Sequence, residues 1–67
     1  MSAHQPFIPS DLSSGDYCII HNLATHEKRL SRVHQVTANF FTDDEGYFYH
    51  RAHGSRVSQH YIVADFS

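Results

Sequence analysis

Histidine is the residue type most able to do chemistry here. Seven stand in a chain of 67 residues: His4, His21, His26, His34, His50, His53 and His60. Imidazole titrates near neutrality and is a common metal ligand. Protonating all seven would move the formal net charge from −2 to +5, so solubility and anion affinity should respond to mild acidity. His50 and His53, joined by His21, His26 or His60, offer nitrogens to Zn²⁺. No cysteine pair supports such a site. On a strand, positions 50 and 53 face opposite ways, so the spacing works only if a turn intervenes. The reading is no metal and no cofactor, with a His-rich, metal-stabilised domain as the alternative.

Catalysis has little to work with. Cys18 and a nearby histidine could form a thiolate–imidazole pair, but Cys18 lies in the apolar run Tyr17, Cys18, Ile19, Ile20, where a thiol is normally buried and inert. Asp43, Asp44 and Glu45 are adjacent carboxylates in a turn, an arrangement that is usually solvated. No phosphate loop and no nucleophile elbow is present, and so short a chain has little volume for a closed, dry site. A non-enzymatic protein is expected.

Binding is better provided for. All five cations lie between positions 28 and 56. Arg29, Arg32, Arg51 and Arg56, with Tyr47 and Tyr49 on one face, could grip phosphates and stack bases. Against this weakly specific nucleic-acid-binding reading stand the negative net charge and the scarcity of Lys and Trp. The favoured reading is a protein-binding tip. Tyr47, Tyr49, Arg51 and Arg56 would make the contacts, of types enriched at interface hot spots. Asp43, Asp44 and Glu45 would steer association. The partner is a protein or a protein–nucleic-acid complex, and a homo-oligomer is compatible with the sequence.

These side chains need short strands to position them. Residues 16–22 (DYCIIHN) are β-branched and aromatic, with Gly15 and Asp16 marking the start. Residues 23–29 read as a polar connection. Residues 30–37 and 39–42 are expected as two strands, with an irregularity near Ala38 and Asn39. A helix over 25–38 competes, because Leu30, Val33, Val36 or Thr37, and Phe40 recur at helical spacing. Asp43, Asp44, Glu45 and Gly46 signal a turn, and residues 47–50 return as a strand. Residues 52–55 form a second turn before a last strand over 59–66. The expected core is Ile19, Val33, Val36, Phe40, Phe48, Ile62 and Val63. Residues 1–14 form an N-terminal arm, broken by Pro6 and Pro9 and pinned by Phe7, Ile8 and Leu12.

The string from Gly15 resembles small SH3-like barrels, of the kind found in KOW modules and in many short phage-encoded proteins. The matching features are Gly15 and Asp16 leading a strand, then RVHQVT, the hairpin NFFTDDEGYFYHR, and AHG. Phe48, Arg51 and Gly54 fit an aromatic-x-x-Arg-x-x-Gly close. The resemblance covers about residues 15–57. It implies an all-β, five-stranded antiparallel SH3-like barrel over 15–67 and a non-enzymatic binding habit. The chain departs from KOW modules in being His-rich and mildly acidic.

Length and composition set the frame. One domain fits, and doubly wound α/β folds do not. A hydrophobic fraction of 40% excludes a disordered chain. The lone cysteine excludes an intrachain disulfide and suits a reducing compartment. No basic stretch followed by an apolar run suggests a signal peptide, and no run is long enough to span a membrane. A cytoplasmic protein is expected.

Overall fold

The computed structural model describes residues 6–67. His4 and the first five residues of the expected arm lie outside the described residues. The described chain is all-β with five strands and no helix: β1 Tyr17–Asn22, β2 Glu27–Arg32, β3 Phe40–Thr42, β4 Phe48–His50 and β5 Ile62–Asp65. One antiparallel sheet has the order β2-β1-β5, and a second pairs β3 with β4. No helix among the described residues is long and apolar enough to cross a membrane.

The helical spacing over 25–38 is overruled by pairing. Asn22 closes a tight turn over residues 23–26: its Oδ1 accepts from the amides of Ala24 and Thr25, and its carbonyl accepts from His26. His26 takes φ 66° to complete it. The polar connection is therefore shorter than expected, and β2 begins at Glu27. Its register, Tyr17 opposite Arg32 through Asn22 opposite Glu27, comes from this turn rather than from an apolar pattern. The strand expected over 30–37 therefore ends at Arg32, and residues 33–37 pair only through isolated contacts. His34 N donates to the Thr42 carbonyl, Thr42 N donates to that of Gln35, and Val36 bridges to Phe41. The irregularity near Ala38 and Asn39 is a turn in which Thr37 N donates to the Phe40 carbonyl and Phe40 N donates to Thr37 Oγ1.

The closed barrel expected from the sequence is not formed: the strands lie in two separate antiparallel sheets. Single bridges tie β4 to the segment 55–56 (Tyr49 to Arg56) and that segment to β5 (Ser55 to Val63), and Val36 to Phe41 links the far flank. Strands of three residues interrupted by turns cannot extend these bridges into full pairing.

The core comprises Leu12, Cys18, Ile20, Val33, Phe41, Tyr49, Ile62 and Ala64, with Val36 and Phe66 packed against it. Phe41 stacks on Tyr49 at 5.3 Å and meets Phe66 edge-on. Val33, Ile62 and Val63 are buried as expected. Three strands present the opposite face to the one expected: Ile19 and Phe40 are half-buried, and Phe48 is 50% exposed. Alternation allows one inward set per strand. Tyr49 goes inward because buried partners satisfy its hydroxyl, which sends Phe48 out. Phe41 pairs with Tyr49 across the hairpin, which sends Phe40 out.

The described part of the arm is docked. Leu12 enters the core. Phe7 N donates to Asp65 Oδ1, and Phe66 N donates to the Phe7 carbonyl. Pro6 and Ile8 lie over Gly54, at φ 78°.

Candidate functional site

The hairpin of β3 and β4 is built on Asp43, which is 1% exposed. Its Oδ1 accepts from the amides of Glu45 and Tyr47 at 2.9 and 3.0 Å. These bonds wind the turn that Gly46 completes at φ 89°. Its Oδ2 accepts from the Tyr49 hydroxyl at 2.7 Å. That hydroxyl in turn accepts from Arg56 Nη2 at 2.9 Å and Nε at 3.3 Å. Arg56 also donates to Gln59 Oε1, and its guanidinium lies 3.8 Å from the centroid of the Tyr47 ring. A buried carboxylate, phenol and guanidinium thus satisfy one another, as buried charge requires. Burial, and next the bond to Asp43, push the Tyr49 phenol well above its ordinary range.

This arrangement corrects the expected contact set. Tyr49, Asp43 and Arg56 are buried and hold the hairpin from inside, so they offer no contact surface. Tyr47 remains 44% exposed. Asp44 and Glu45 are exposed at the tip, but Arg29 spans them at 3.1 and 3.3 Å. Desolvation of Asp44 acts to raise its pKa and is outweighed by bonds from Arg29 and Ser31, which hold the carboxyl below the usual range. The same carboxylates raise the pKa of Arg29 against its own desolvation.

The outward face of the hairpin carries a ladder of rings. Phe48 meets Phe40 edge-on at 6.3 Å, Phe40 lies 5.4 Å from His50, and His50 lies 4.8 Å from His53. The sequence reading placed Phe40 and Phe48 in the core and missed this surface. The available signal was Asp43 followed by Gly46, the pattern of a carboxylate folded back onto its own turn. An Asp used that way is taken out of solvent and draws Tyr49 in with it.

The four arginines do not share one surface. Arg29 and Arg56 bear on Asp43 at 3.6 and 3.8 Å. Arg32 lies over Tyr17 and donates to the Gly15 carbonyl. Arg51 donates to the carbonyls of Thr37 and Ser10. The zinc constellation fares no better. Among the described residues the only trio of metal-capable groups is Asp43, Asp44 and Glu45, and Arg29 bridges it. His53 Nδ1 is hydrogen-bonded to Ser55 Oγ. Cys18 is buried, and desolvation, then the charge of Asp43, raise its pKa from 9.0 to about 11. An open groove of about 460 Å³ lies between Ile20 and Ile62, rimmed by Glu27, Lys28, Arg29 and Arg56. Two of its rim cations, Arg29 and Arg56, are already paired with Asp43, Asp44 and Glu45.

No family model, no curated protein and no solved structure matches this chain.

Proposed function

We propose that this is a small non-enzymatic binding protein of SH3-like design that engages a protein or protein–nucleic-acid complex through the outward face of its aromatic hairpin. The SH3-like reading is supported by strands that pair with their sequence neighbours within β1-β2 and β3-β4, by the meeting of β1 with β5, and by bridges on both flanks.

One observation carries the binding reading. The inward face of the hairpin is held by the bonds of Asp43, Tyr49 and Arg56, while Phe48, on the other face, is half-exposed beside Phe40 and His50. Presenting aromatic area on a rigid element lowers the entropy lost on binding, and aromatics dominate interface energetics. Direct nucleic-acid binding through Arg29, Arg32, Arg51 and Arg56 has less support, because those side chains are committed to separate intramolecular contacts.

The test compares the immobilised protein with Phe48→Ser in capture from a lysate of the source organism. Phe48→Ser should melt near the parent, since the side chain lies outside the core. A protein retained by the parent and lost with the variant supports the reading. Recovery of nothing above background, or equal recovery by both, refutes it.

A further inference from the structure

We infer that the outer face of the β2-β1-β5 sheet is a second docking surface, built for an acidic segment of a partner protein that also carries apolar side chains. The register sets Tyr17 opposite Arg32 and Ile19 opposite Leu30 on this face. Tyr17 and Leu30 are 62% and 63% exposed, the highest values among the large hydrophobic side chains described. They are diagonal neighbours across the strand pair, within reach of each other, and half-buried Ile19 joins them into one patch. A hollow of about 190 Å³ lined by Tyr17, Ile19, Leu30 and Asp65 opens beside Phe66 and Ser67. Leu30 is the only apolar residue of β2 (EKRLSR), and alternation turns it outward, away from buried Ser31. A soluble strand has no need of a leucine there, and clustered exposed apolar groups mark interaction sites.

Charge selects the occupant. Lys28 and Arg32 share the outward face and are exposed. The carboxylate on that face, Asp65, is 5% exposed and accepts from Phe7 N, Ser67 N and Ser67 Oγ. Glu27 belongs to the opposite face, where it lines the groove with Ile20 and Ile62. The face therefore presents net positive charge on a chain whose total is −2. Arg32, held over Tyr17 and tied through Nε to the Gly15 carbonyl, presents a guanidinium fork suited to a carboxylate.

Other occupants fit worse. A second copy docked by two-fold symmetry would set cations against cations. A second copy docked through its acidic tip would bring Asp44 and Glu45, both already held by Arg29 within the molecule, so only about one negative charge is left for a partner. A nucleic acid would find two cations, the exposed ring of Tyr17 and the half-buried ring of His21 around an aliphatic centre, too little for phosphate-driven binding.

The experiment is selection of a random short-peptide library on the full chain, followed by affinity measurement and amide chemical-shift mapping of the selected peptides. Acidic peptides bearing leucine or aromatic residues should be enriched, and their shifts should centre on Tyr17, Ile19 and Leu30. Leu30→Ser and Lys28→Glu/Arg32→Glu should each weaken binding by about tenfold or more, as at an interface hot spot. Phe48→Ser should leave it unchanged, which separates this surface from the hairpin. The inference is overturned if enriched peptides show no acidic bias or map elsewhere. It is also overturned if the charge-reversed protein binds them equally, if a single-stranded oligonucleotide competes through the same residues, or if Leu30→Ser abolishes a self-association seen by sedimentation.

Discussion

Replacing Tyr49 by Phe removes one oxygen from the centre of the hairpin and should cost the fold about 2–3 kcal/mol. The hydroxyl donates to Asp43 at 2.7 Å and accepts from Arg56 at 2.9 and 3.3 Å, with Tyr49 fully buried. A hydrogen bond to a charged group contributes about 1.5–3 kcal/mol, and here one oxygen serves two charges. Three features hold the loss below the sum. Asp43 keeps the amides of Glu45 and Tyr47, and Arg56 keeps Gln59 and the Tyr47 ring. Asp43 Oδ2 and Arg56 Nη2, 3.8 Å apart, can also close on each other. The stacking of ring 49 on Phe41 survives the change. A domain of this length has a total stability of roughly 3–10 kcal/mol, so the variant gives up a large share of it. The melting midpoint should fall by about 10–20 °C. Urea unfolding followed by far-ultraviolet circular dichroism measures the difference. Tyr47→Phe is the control: its ring is exposed, and it should stay within about 0.5 kcal/mol of the parent. A Tyr49→Phe variant that unfolds with the parent's midpoint and slope would refute the claim that this hydroxyl joins Asp43 to Arg56.

Four further outcomes are expected. Gly54→Ala should lower the urea midpoint far more than Gly46→Ala: both positions have positive φ, but a Cβ at 54 would lie 2.7 Å from the Ala64 carbonyl and 2.9 Å from Ile8, whereas 46 is open. The costs are about 2–5 and about 1–2 kcal/mol, and equal midpoints would remove the close approach from the account. Leu12→Ala should cost about 2–4 kcal/mol in the same assay, as a core truncation does, while Phe7→Ala, at an exposed side chain, costs little; a neutral Leu12→Ala would mean the arm does not complete the core. Cys18 should react with Ellman's reagent only as fast as the protein opens, and prompt native-state labelling would contradict its burial. Its raised pKa has a stability consequence of definite sign. The unfolded thiol ionises first, so the contribution is intact below 9.0 and is lost as pH climbs toward about 11, and the urea midpoint should decline over that window.

The strand-rich class and the turns were legible in the residues. Gly46 and Gly54 adopt the positive φ their turns need. β1 and the return strand at Phe48 follow from β-branched and aromatic runs between turn formers. Where β2 begins was not legible, because a charged surface strand carries no apolar period and its register is set by the side chain of Asn22. The faces of the hairpin were not legible either. Phe40, Phe41, Phe48 and Tyr49 place aromatics at odd and even positions alike, so alternation fits both orientations. Only the assembled fold decides between them, by bringing Arg56, from the segment after β4, to the one hydroxyl among those rings. That contact draws Tyr49 and Asp43 inward and leaves Phe48 and Phe40 facing outward. Local chemistry could set the strands and turns because each depends on neighbours along the chain. The orientation of the aromatic face could not be read that way, because it depends on how the segment carrying Arg56 folds back onto β4.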